Sequence, residues 1–155
     1  MSYSKPLDGP SFSLVMALAA KHGATPVIDA FADASNHKLP TWYSKFWCHG
    51  SNGVDAFAQP RRGCLYAFPP PSDVLPYIAY LRETKSKAVI ISPDWPAAPH
   101  SAFLKGPQPA DCIVKTLTIL PFCHVAPGPI GRPAFLAPGH IVTNMLASIV
   151  DFTGA

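Results

Sequence analysis

The sequence predicts an α/β fold with a mostly parallel sheet flanked by helices, and the prediction rests on residues 64–96. An apolar segment, C-L-Y-A-F, stops at three consecutive prolines, which lack the N–H that a strand ladder needs. A segment with apolar residues at helical spacing follows, and then a second apolar segment, A-V-I-I-S, that Pro93 ends. Strand, turn, helix and strand in this order form a crossover unit, which is almost always right-handed and joins parallel strands.

The helix of this unit is expected to follow Ser72 as its N-cap, with Pro76 in the first turn, where proline is tolerated. Its apolar face consists of Val74, Leu75, Ile78 and Leu81. Ligands of open α/β sheets bind outside the carboxyl ends of the strands. The two proline turns, which follow the two strands, therefore mark the expected site.

Length and composition indicate a single domain. The chain has 155 residues, enough to bury a core without disulfides. Hydrophobic residues make up 48% of it and charged residues 14%, which favours a surface poor in charge and partly covered by other protein subunits. The net charge of +3 is scattered, unlike that of a nucleic-acid-binding arm. No apolar run approaches the roughly 20 residues that span a membrane, so we expect no membrane span.

The cysteines favour a reducing, intracellular compartment. They show no C-x-x-C spacing, and no signal peptide precedes them. Two of them lie next to a histidine, as zinc ligands can, but adjacent ligands strain a tetrahedral site. We therefore expect buried thiols and no metal. The cysteines are Cys48, Cys64, Cys112 and Cys123, and the adjacent histidines are His49 and His124.

The chain is expected to open with an irregular arm over residues 1–10. An apolar stripe from Phe12 to Ala19 then predicts a helix, with Ser11 or Ser13 as N-cap and Gly23 as C-cap. The β-branched and apolar residues 26–32 predict the first strand, with Asp29 near its end.

Residues 33–53 lose the periodic pattern, which predicts a long loop rich in aromatic residues. These aromatic residues either plug the edge of the core or form a binding face. The habitual burial of aromatic side chains favours the plug. If the binding face is correct, the candidate interaction surface consists of Trp42, Tyr43, Phe46 and Trp47, together with Trp95 beyond the second proline turn.

The sequence D-A-F-A occurs twice, beginning at Asp29 and again at Asp55. The second copy predicts the second strand. If both copies are parallel strands, both aspartates end at the same sheet edge and form a crevice with the turn from Phe68 to Pro71. Alternatively, both carboxylates cap loops by accepting nearby backbone N–H groups.

The last third of the chain is predicted to contain few elements. A turn of helix is expected around residues 101–104, and the alternating residues 112–120 predict a strand. Residues 121–139 form a loop region rich in proline and glycine, with short edge pairing at residues 134–136. A final helix is predicted over residues 141–152, covering the sheet.

Four motifs in a fixed order resemble a known family over roughly residues 24–104. They resemble the domain downstream of RNase H in polyproteins of DIRS-type, tyrosine-recombinase retroelements. That domain is itself similar to phage-type Dam N6-adenine methyltransferases, which are Rossmann-like enzymes that use S-adenosylmethionine. The motifs are V-I-D-A-F-A-D-A-S-N-H-K-L-P-T-W-Y-S, G-V-D-A-F-A-Q, L-Y-A-F-P-P-P and A-V-I-I-S-P-D-W-P.

The resemblance implies a catalytic turn at residues 68–71 that is degenerate here. In the methyltransferases this turn reads Asp or Asn, Pro, Pro and an aromatic residue; the polar residue accepts a hydrogen bond from the adenine amine, and the ring stacks on a flipped base. Here Phe68 supplies no acceptor and Pro71 supplies no ring, so only Pro69 and Pro70 match. The nearest other acceptors are Asp73 and Asp94.

The cofactor site implied by the resemblance is also incomplete. A glycine-rich turn normally follows the first strand so that the backbone can approach the cofactor. Here F-A-D-A follows, without glycine. Asp29 and Asp55 remain the candidate S-adenosylmethionine ligands.

Three functions are therefore considered. The favoured one is a non-catalytic, methyltransferase-like module in a larger, virus- or retroelement-derived assembly, without a cofactor and located inside cells or in a virion. The first alternative is an S-adenosylmethionine-dependent DNA N6-adenine methyltransferase with an unusual motif. The second is a nucleic-acid-binding module in which Trp42 and Tyr43 stack on bases and the cations are Arg61, Arg62, Lys85 and Lys87.

Overall fold

The computed structural model describes residues 9–34, 36–59, 63–107, 110–119 and 145–154. Within these ranges the chain forms three helices, seven strands and two short 3₁₀ turns, Ala56–Ala58 and Pro71–Asp73. The helices are α1 (Gly9–Lys21), α2 (Val74–Glu83) and α3 (Pro99–Lys105). The strands are β1 (Ile28–Ala32), β2 (Thr41–Ser44), β3 (Gly53–Val54), β4 (Cys64–Ala67), β5 (Lys87–Pro93), β6 (Ile113–Ile119) and β7 (Met145–Asp151).

The strands of the described ranges form one sheet in the order β3-β2-β1-β4-β5-β7-β6. Strands β1 to β5 pair in parallel, whereas β7 runs antiparallel to both of its neighbours, β5 and β6. The predicted α/β fold with a mostly parallel sheet flanked by helices is confirmed. The order of the first five strands agrees with a Rossmann-like arrangement, in which the strand order reverses between β1 and β4.

The sheet is buried on both faces, which explains why its inner strands read as continuous apolar runs. One face packs against α1 through Val15 and Ala19, and we call this core the α1 layer. The other face packs against α2 and α3, and we call this core the α2 layer. Every residue of β1 and β4 is buried, as are all residues of β5 after Lys87.

The predicted crossover unit is confirmed, because β4, α2 and β5 follow one another and β4 pairs in parallel with β5. The predicted N-cap is wrong. Ser72 lies in the 3₁₀ turn between the prolines and the helix, and Asp73 occupies the cap position without a side-chain hydrogen bond. The 3₁₀ turn displaces the start of the helix by one residue. The buried side of α2 consists of Val74, Tyr77, Ile78 and Leu81.

The prediction of a loop over residues 33–53 is wrong in part, because this stretch contains β2. A strand of four residues is too short to produce a readable alternation. The second D-A-F-A copy was predicted to be a strand, but β3 ends at Val54, before this copy. Asp55 adopts a φ of 64°, which ends the extended backbone, and a 3₁₀ turn follows.

The predicted final helix is wrong. Residues 145–151 form β7, and residues 141–144 lie outside the described part of the chain. A helix buries one stripe, whereas six consecutive residues of β7 are buried, with Leu146 and Val150 in the α2 layer and Ala147 and Ile149 in the α1 layer. Their short apolar run fits helical spacing by coincidence. The predicted strand at residues 112–120 is confirmed as β6.

The first helix is confirmed, although it begins at Gly9, two residues inside the predicted irregular arm. Ser11 and Ser13 therefore lie within the helix, so neither is its N-cap. Gly23 follows the helix with a φ of 70°, as expected of a C-cap glycine. The predicted turn of helix at residues 101–104 is part of α3. The rest of the arm and the loop region at residues 121–139 lie outside the described residues.

Candidate functional site

The carboxyl edge of the parallel strands forms the candidate site. Ala32 at the end of β1 pairs with Ser44 of β2, and Ser44 pairs with Val54 of β3, so these strands end at one level. β4 runs into Phe68 and the prolines, and β5 ends at Pro93 on the same edge. The strand order reverses between β1 and β4, and ligands of such sheets bind at this switch point.

Asp29 is not at this edge, contrary to the expectation from the sequence. It is the second residue of β1 and pairs with Trp42 of β2 and Tyr66 of β4. It lies three positions before Ala32, which is about 10 Å along a parallel strand. Its side chain is 2% exposed, and the backbone N–H of Lys38 donates to its Oδ2 at 2.8 Å.

Burial raises the pKa of Asp29 to about 6, because a charged carboxylate loses hydration inside the protein. The backbone N–H groups of Lys38 and Phe31 favour the ionised form and limit this rise, as do the nearby His37 and the Lys38 ammonium. The pKa of the buried Tyr66 hydroxyl is also raised, by burial and by the negative charge of Asp29. The pair thus occupies a dry environment between β1 and β4, inside the sheet.

Asp55 does lie at the carboxyl edge, directly after β3, and it is exposed. Its Oδ1 accepts the backbone N–H of Phe57 at 3.0 Å, which caps the 3₁₀ turn. Each aspartate therefore accepts a nearby backbone N–H, as the capping alternative expects, and the two do not meet in one crevice. The positive φ of Asp55 is uncommon for a residue with a side chain.

The turn after β4 is filled by its own side chains. Phe68 is 4% exposed and packs in the α1 layer, and Pro69 is also buried. Pro70 and Pro71 are partly exposed. Of the two acids considered as substitutes for the missing acceptor, Asp94 forms an ion pair with Lys105 at 3.1 Å. Asp73 precedes α2 and is partly exposed.

The chain between β1 and β2 folds over Asp29. The backbone N–H of Asp33 donates to Asn36 Oδ1 at 2.7 Å, and the N–H groups of Asn36 and His37 donate to the Asp33 carbonyl. The His37 ring stacks on Trp42, with centroids 4.9 Å apart and planes 5° apart. A phosphate- or cofactor-binding loop offers its N–H groups to the ligand. Here these groups bind the chain itself.

The predicted aromatic stretch is divided by the end of β2. Trp42 and Tyr43 lie within the strand and are buried, as the plug interpretation expects. Phe46 and Trp47 follow the strand and are 63% and 78% exposed. Trp95 is partly buried, and its backbone N–H donates to Ser101 Oγ at 3.0 Å. Of the five predicted interface residues, Phe46 and Trp47 are the ones that expose most of their surface.

An aromatic cluster that the sequence analysis missed closes the α2 side of this edge. The Tyr77 ring contacts Phe31 edge to face at 4.8 Å and Phe57 at 5.7 Å, and it stacks on Tyr80 at 5.3 Å. The Tyr80 hydroxyl donates to the carbonyl of Gln59 and ties α2 to the chain after the 3₁₀ turn. The repeated D-A-F-A was the available signal, because Phe31 and Phe57 are its two phenylalanines.

The lysines considered for nucleic-acid binding lie at the opposite edge of the sheet from the exposed aromatic residues Phe46 and Trp47. Lys87 begins β5 at the amino edge of the sheet and donates to the carbonyl of Gly23 at 2.9 Å, and Lys85 follows α2. A surface depression of about 520 Å³ adjoins Lys87 and Cys64 there. Arg61 and Arg62 lie outside the described residues. Lys85 and Lys87 therefore lie at the amino edge of the sheet, whereas Phe46 and Trp47 lie at its carboxyl edge.

The thiols and histidines of the described ranges form no metal site. No group of three or more His, Cys, Asp or Glu side chains in this part of the chain has metal-binding geometry. Cys64 and Cys112 are buried and Cys48 is partly buried, while Cys123 lies outside the described residues. Burial raises the pKa of Cys64 to about 11, which keeps it a thiol at neutral pH. Among the helices described, none is long and apolar enough to cross a bilayer.

No protein-family model matches this chain. No curated protein matches it either. The resemblance to retroelement and methyltransferase domains therefore stays a prediction from four sequence motifs. The acidic side chains that the sequence analysis assigned to a cofactor bind backbone N–H groups, and Asp94 binds a lysine.

Proposed function

We propose that this chain is a non-catalytic, methyltransferase-like domain that serves as a structural or interaction module in a larger assembly of viral or retroelement origin. The burial of Phe68 carries the proposal. This side chain stands where the resembling methyltransferases place the polar acceptor for the adenine amine, and it packs into the core of the α1 layer. A buried phenyl ring offers neither an acceptor nor access to a base.

The sheet order supports the methyltransferase-like part of the proposal. Strands β1 to β5 have the order 3-2-1-4-5, and the last strand, β7, is inserted antiparallel between β5 and β6. The parallel order 3-2-1-4-5 is that of a Rossmann-like sheet, the fold of the resembling methyltransferases. The argument concerns ancestry alone, because one fold hosts many functions.

The chain between β1 and β2 supports the absence of a cofactor. A cofactor loop needs free N–H groups at a backbone that can approach the ligand closely. In this chain Asn36, His37 and Lys38 direct their N–H groups to Asp33 and Asp29. S-adenosylmethionine would have to displace these internal hydrogen bonds to reach the backbone.

Phe46 and Trp47 support the interaction role. Two adjacent aromatic side chains that are mostly exposed present an apolar surface, which favours contact with another protein. Ser44 Oγ donates to the carbonyl of Phe46 at 2.6 Å and lies 2.9 Å from Ser51 Oγ, so the loop that carries the two aromatic residues is held at its base. Fixing the backbone of this loop lowers the entropy that is lost on binding.

The test of the non-catalytic part is a calorimetric titration of the purified protein with S-adenosylmethionine and with its demethylated product. We expect no binding at micromolar concentrations, and Asp55→Ala serves as the matched variant. Micromolar binding that Asp55→Ala abolishes would overturn the proposal in favour of the methyltransferase alternative. One observation favours that alternative: Asp55 is exposed at the carboxyl edge, where ligands of open α/β sheets bind.

The test of the interaction part is photo-crosslinking in cells that produce the full-length protein. A photoreactive residue replaces Trp47 in one variant and Leu14 in the control, since Leu14 is exposed on α1, away from the loop. We expect a defined protein adduct from position 47 that is absent from position 14. An adduct with nucleic acid would favour the nucleic-acid alternative, and equal labelling from both positions would contradict a specific interface.

A further inference from the structure

A short part of the chain covers the buried carboxyl group of Asp29, which lies on β1 between β2 and β4. We call residues 36–40 the covering segment. The Lys38 N–H donates to Asp29 Oδ2, the His37 ring stacks on Trp42, and Leu39 packs against the α1 layer. The Lys38 ammonium lies over the Phe12 ring of α1 at 5.6 Å. These contacts attach the segment to β1, β2 and α1 together.

Two buried polar atoms beneath this segment have no hydrogen-bond partner among the described residues. They are Oδ1 of Asp29 and the hydroxyl oxygen of Tyr66. The two residues are direct neighbours in the parallel pairing of β1 and β4, so both side chains lie on the same face of the sheet. Such atoms are costly in a dry core, and their cost is relieved when water reaches them.

The charged and titratable groups near Asp29 come from few elements. His37 and the Lys38 ammonium on the covering segment favour its ionised form. Tyr66 on β4 and Tyr77 on α2 interact with its negative charge and stay protonated at neutral pH, because their own pKa values are raised by burial. Asp29 is therefore the buried acid of this set that titrates in the physiological range.

We propose that the covering segment is a proton-controlled cover, closed while Asp29 is protonated and opened more readily once Asp29 is ionised. Opening lets water solvate the carboxylate and the Tyr66 hydroxyl. The inference does not depend on the proposed function, because it concerns the solvation of a buried carboxyl group and not the identity of a ligand.

The direction of the effect follows from linkage. The pKa of Asp29 is about 6 when covered and about 3.9 in water. The closed form therefore binds the proton more tightly, and raising the pH through this window favours the open form. Because the two values differ by about two, the opening equilibrium increases by up to about a hundredfold between acidic and mildly basic pH.

The test is backbone hydrogen exchange of the Lys38 amide between pH 4.5 and 8, with each rate divided by the intrinsic rate at that pH. We expect the resulting opening constant to rise by one to two orders of magnitude in the wild-type protein. In Asp29→Asn it should stay flat. Asp55→Asn is the matched control, since the same chemical change at an exposed aspartate should leave the wild-type pH dependence intact.

A second measurement keeps the test decisive if Asp29→Asn does not fold. The Asp29 carboxyl carbon is titrated by NMR in the wild-type protein and in His37→Gln, which removes the imidazole of the covering segment. We expect the carboxyl and the Lys38 opening constant to share a midpoint in each protein, near pH 6 in the wild type and no lower in His37→Gln, because His37 favours the ionised form of Asp29. A carboxyl that titrates below pH 4.5, or an opening constant that does not change with pH, would overturn the proposal.

Discussion

The phenyl rings of Phe31 and Phe57 meet edge to face, with centroids 5.9 Å apart and planes 81° apart. Each is the third residue of a D-A-F-A sequence, one in β1 and one in the 3₁₀ turn after β3. The repeated sequence thus adopts two different backbone conformations and brings its aromatic residues into one cluster with Tyr77. The two copies differ in backbone conformation, but their phenylalanine side chains contact each other.

This contact predicts a measurable coupling between the two phenylalanines. In a double-mutant cycle with Phe31→Leu and Phe57→Leu, we expect a coupling free energy of about 0.5 to 1.5 kcal/mol, because edge-to-face aromatic pairs are stabilised beyond their buried area. Urea unfolding of the four proteins measures it. Phe12 lies against the other face of the sheet, so Phe12→Leu combined with Phe57→Leu should be additive. Additivity of the first pair would contradict the cluster.

The second prediction concerns the turn after β4. Phe68→Asn restores the side chain that the resembling methyltransferases carry, but it replaces a buried ring in the α1 layer with a polar group. We expect a loss of about 3 to 5 kcal/mol in the free energy of unfolding and no gain of S-adenosylmethionine binding. The matched variant Phe46→Asn, at an exposed ring, should change stability by less than about 0.5 kcal/mol.

Urea unfolding and calorimetry together check this prediction. A Phe68→Asn protein of unchanged stability would mean that the ring is not part of the core. If that protein also bound S-adenosylmethionine, the expectation of no gain in binding would be wrong, and Phe68 alone would account for the absence of binding in the wild-type protein.

The sequence predicted the strands that carry long apolar runs and missed those whose burial comes from tertiary contacts. β5 was predictable because residues 88–92 are unbroken and end at Pro93. β7 was not, because the spacing of Met145, Ile149 and Val150 also fits one face of a helix. Only the pairing of β7 with β5 and β6 on both sides determines its conformation.

The candidate site was harder to predict than the fold. Trp42, Tyr43, Phe46 and Trp47 are of the same type and nearly consecutive, so composition could not separate the buried pair from the exposed pair. The separation depends on where β2 ends, at Ser44. Likewise, Asp29 and Asp55 share a sequence context, but one is sealed inside the sheet and the other is exposed at its edge.

The third prediction concerns the dependence of stability on pH. The pKa of Asp29 is about 6 in the folded protein and about 3.9 in unfolded chains. Because the folded value is the higher one, the stabilisation is complete below about pH 3.9 and is lost as the pH rises through about 6. Above that range the loss of folding stability amounts to about 3 kcal/mol, because each unit of difference between the two pKa values corresponds to about 1.4 kcal/mol.

Asp29→Asn removes this titration, so its stability relative to the wild-type protein should rise with pH. Urea unfolding of both proteins at pH 4.5 and pH 8 measures the change, and we expect the relative stability of the variant to increase by about 2 kcal/mol between the two. Asp94→Asn is the control. Asp94 forms an ion pair with Lys105, so this variant should not show the rise in relative stability expected of Asp29→Asn. A pH-independent difference between Asp29→Asn and the wild-type protein would show that the carboxyl is not desolvated.

The fourth prediction separates the two roles considered for Asp55. If the side chain only caps the 3₁₀ turn, Asp55→Asn should keep the stability within a few tenths of a kcal/mol, since Asn tolerates positive φ and accepts the same N–H. Asp55→Ala should lose about 1 to 2 kcal/mol, because Ala lacks the acceptor and disfavours this backbone. Asp55→Gly, which adopts positive φ freely, should fall between them.

Thermal or urea unfolding of the three variants gives this ranking, and a cofactor titration of Asp55→Asn distinguishes capping from ligand binding. Capping depends on an acceptor of any charge, whereas binding of ribose hydroxyls is strongest with a carboxylate. A stable Asp55→Asn protein that loses S-adenosylmethionine binding present in the wild type would assign Asp55 to the cofactor. The expected ranking without any binding in the wild type would assign it to the local turn.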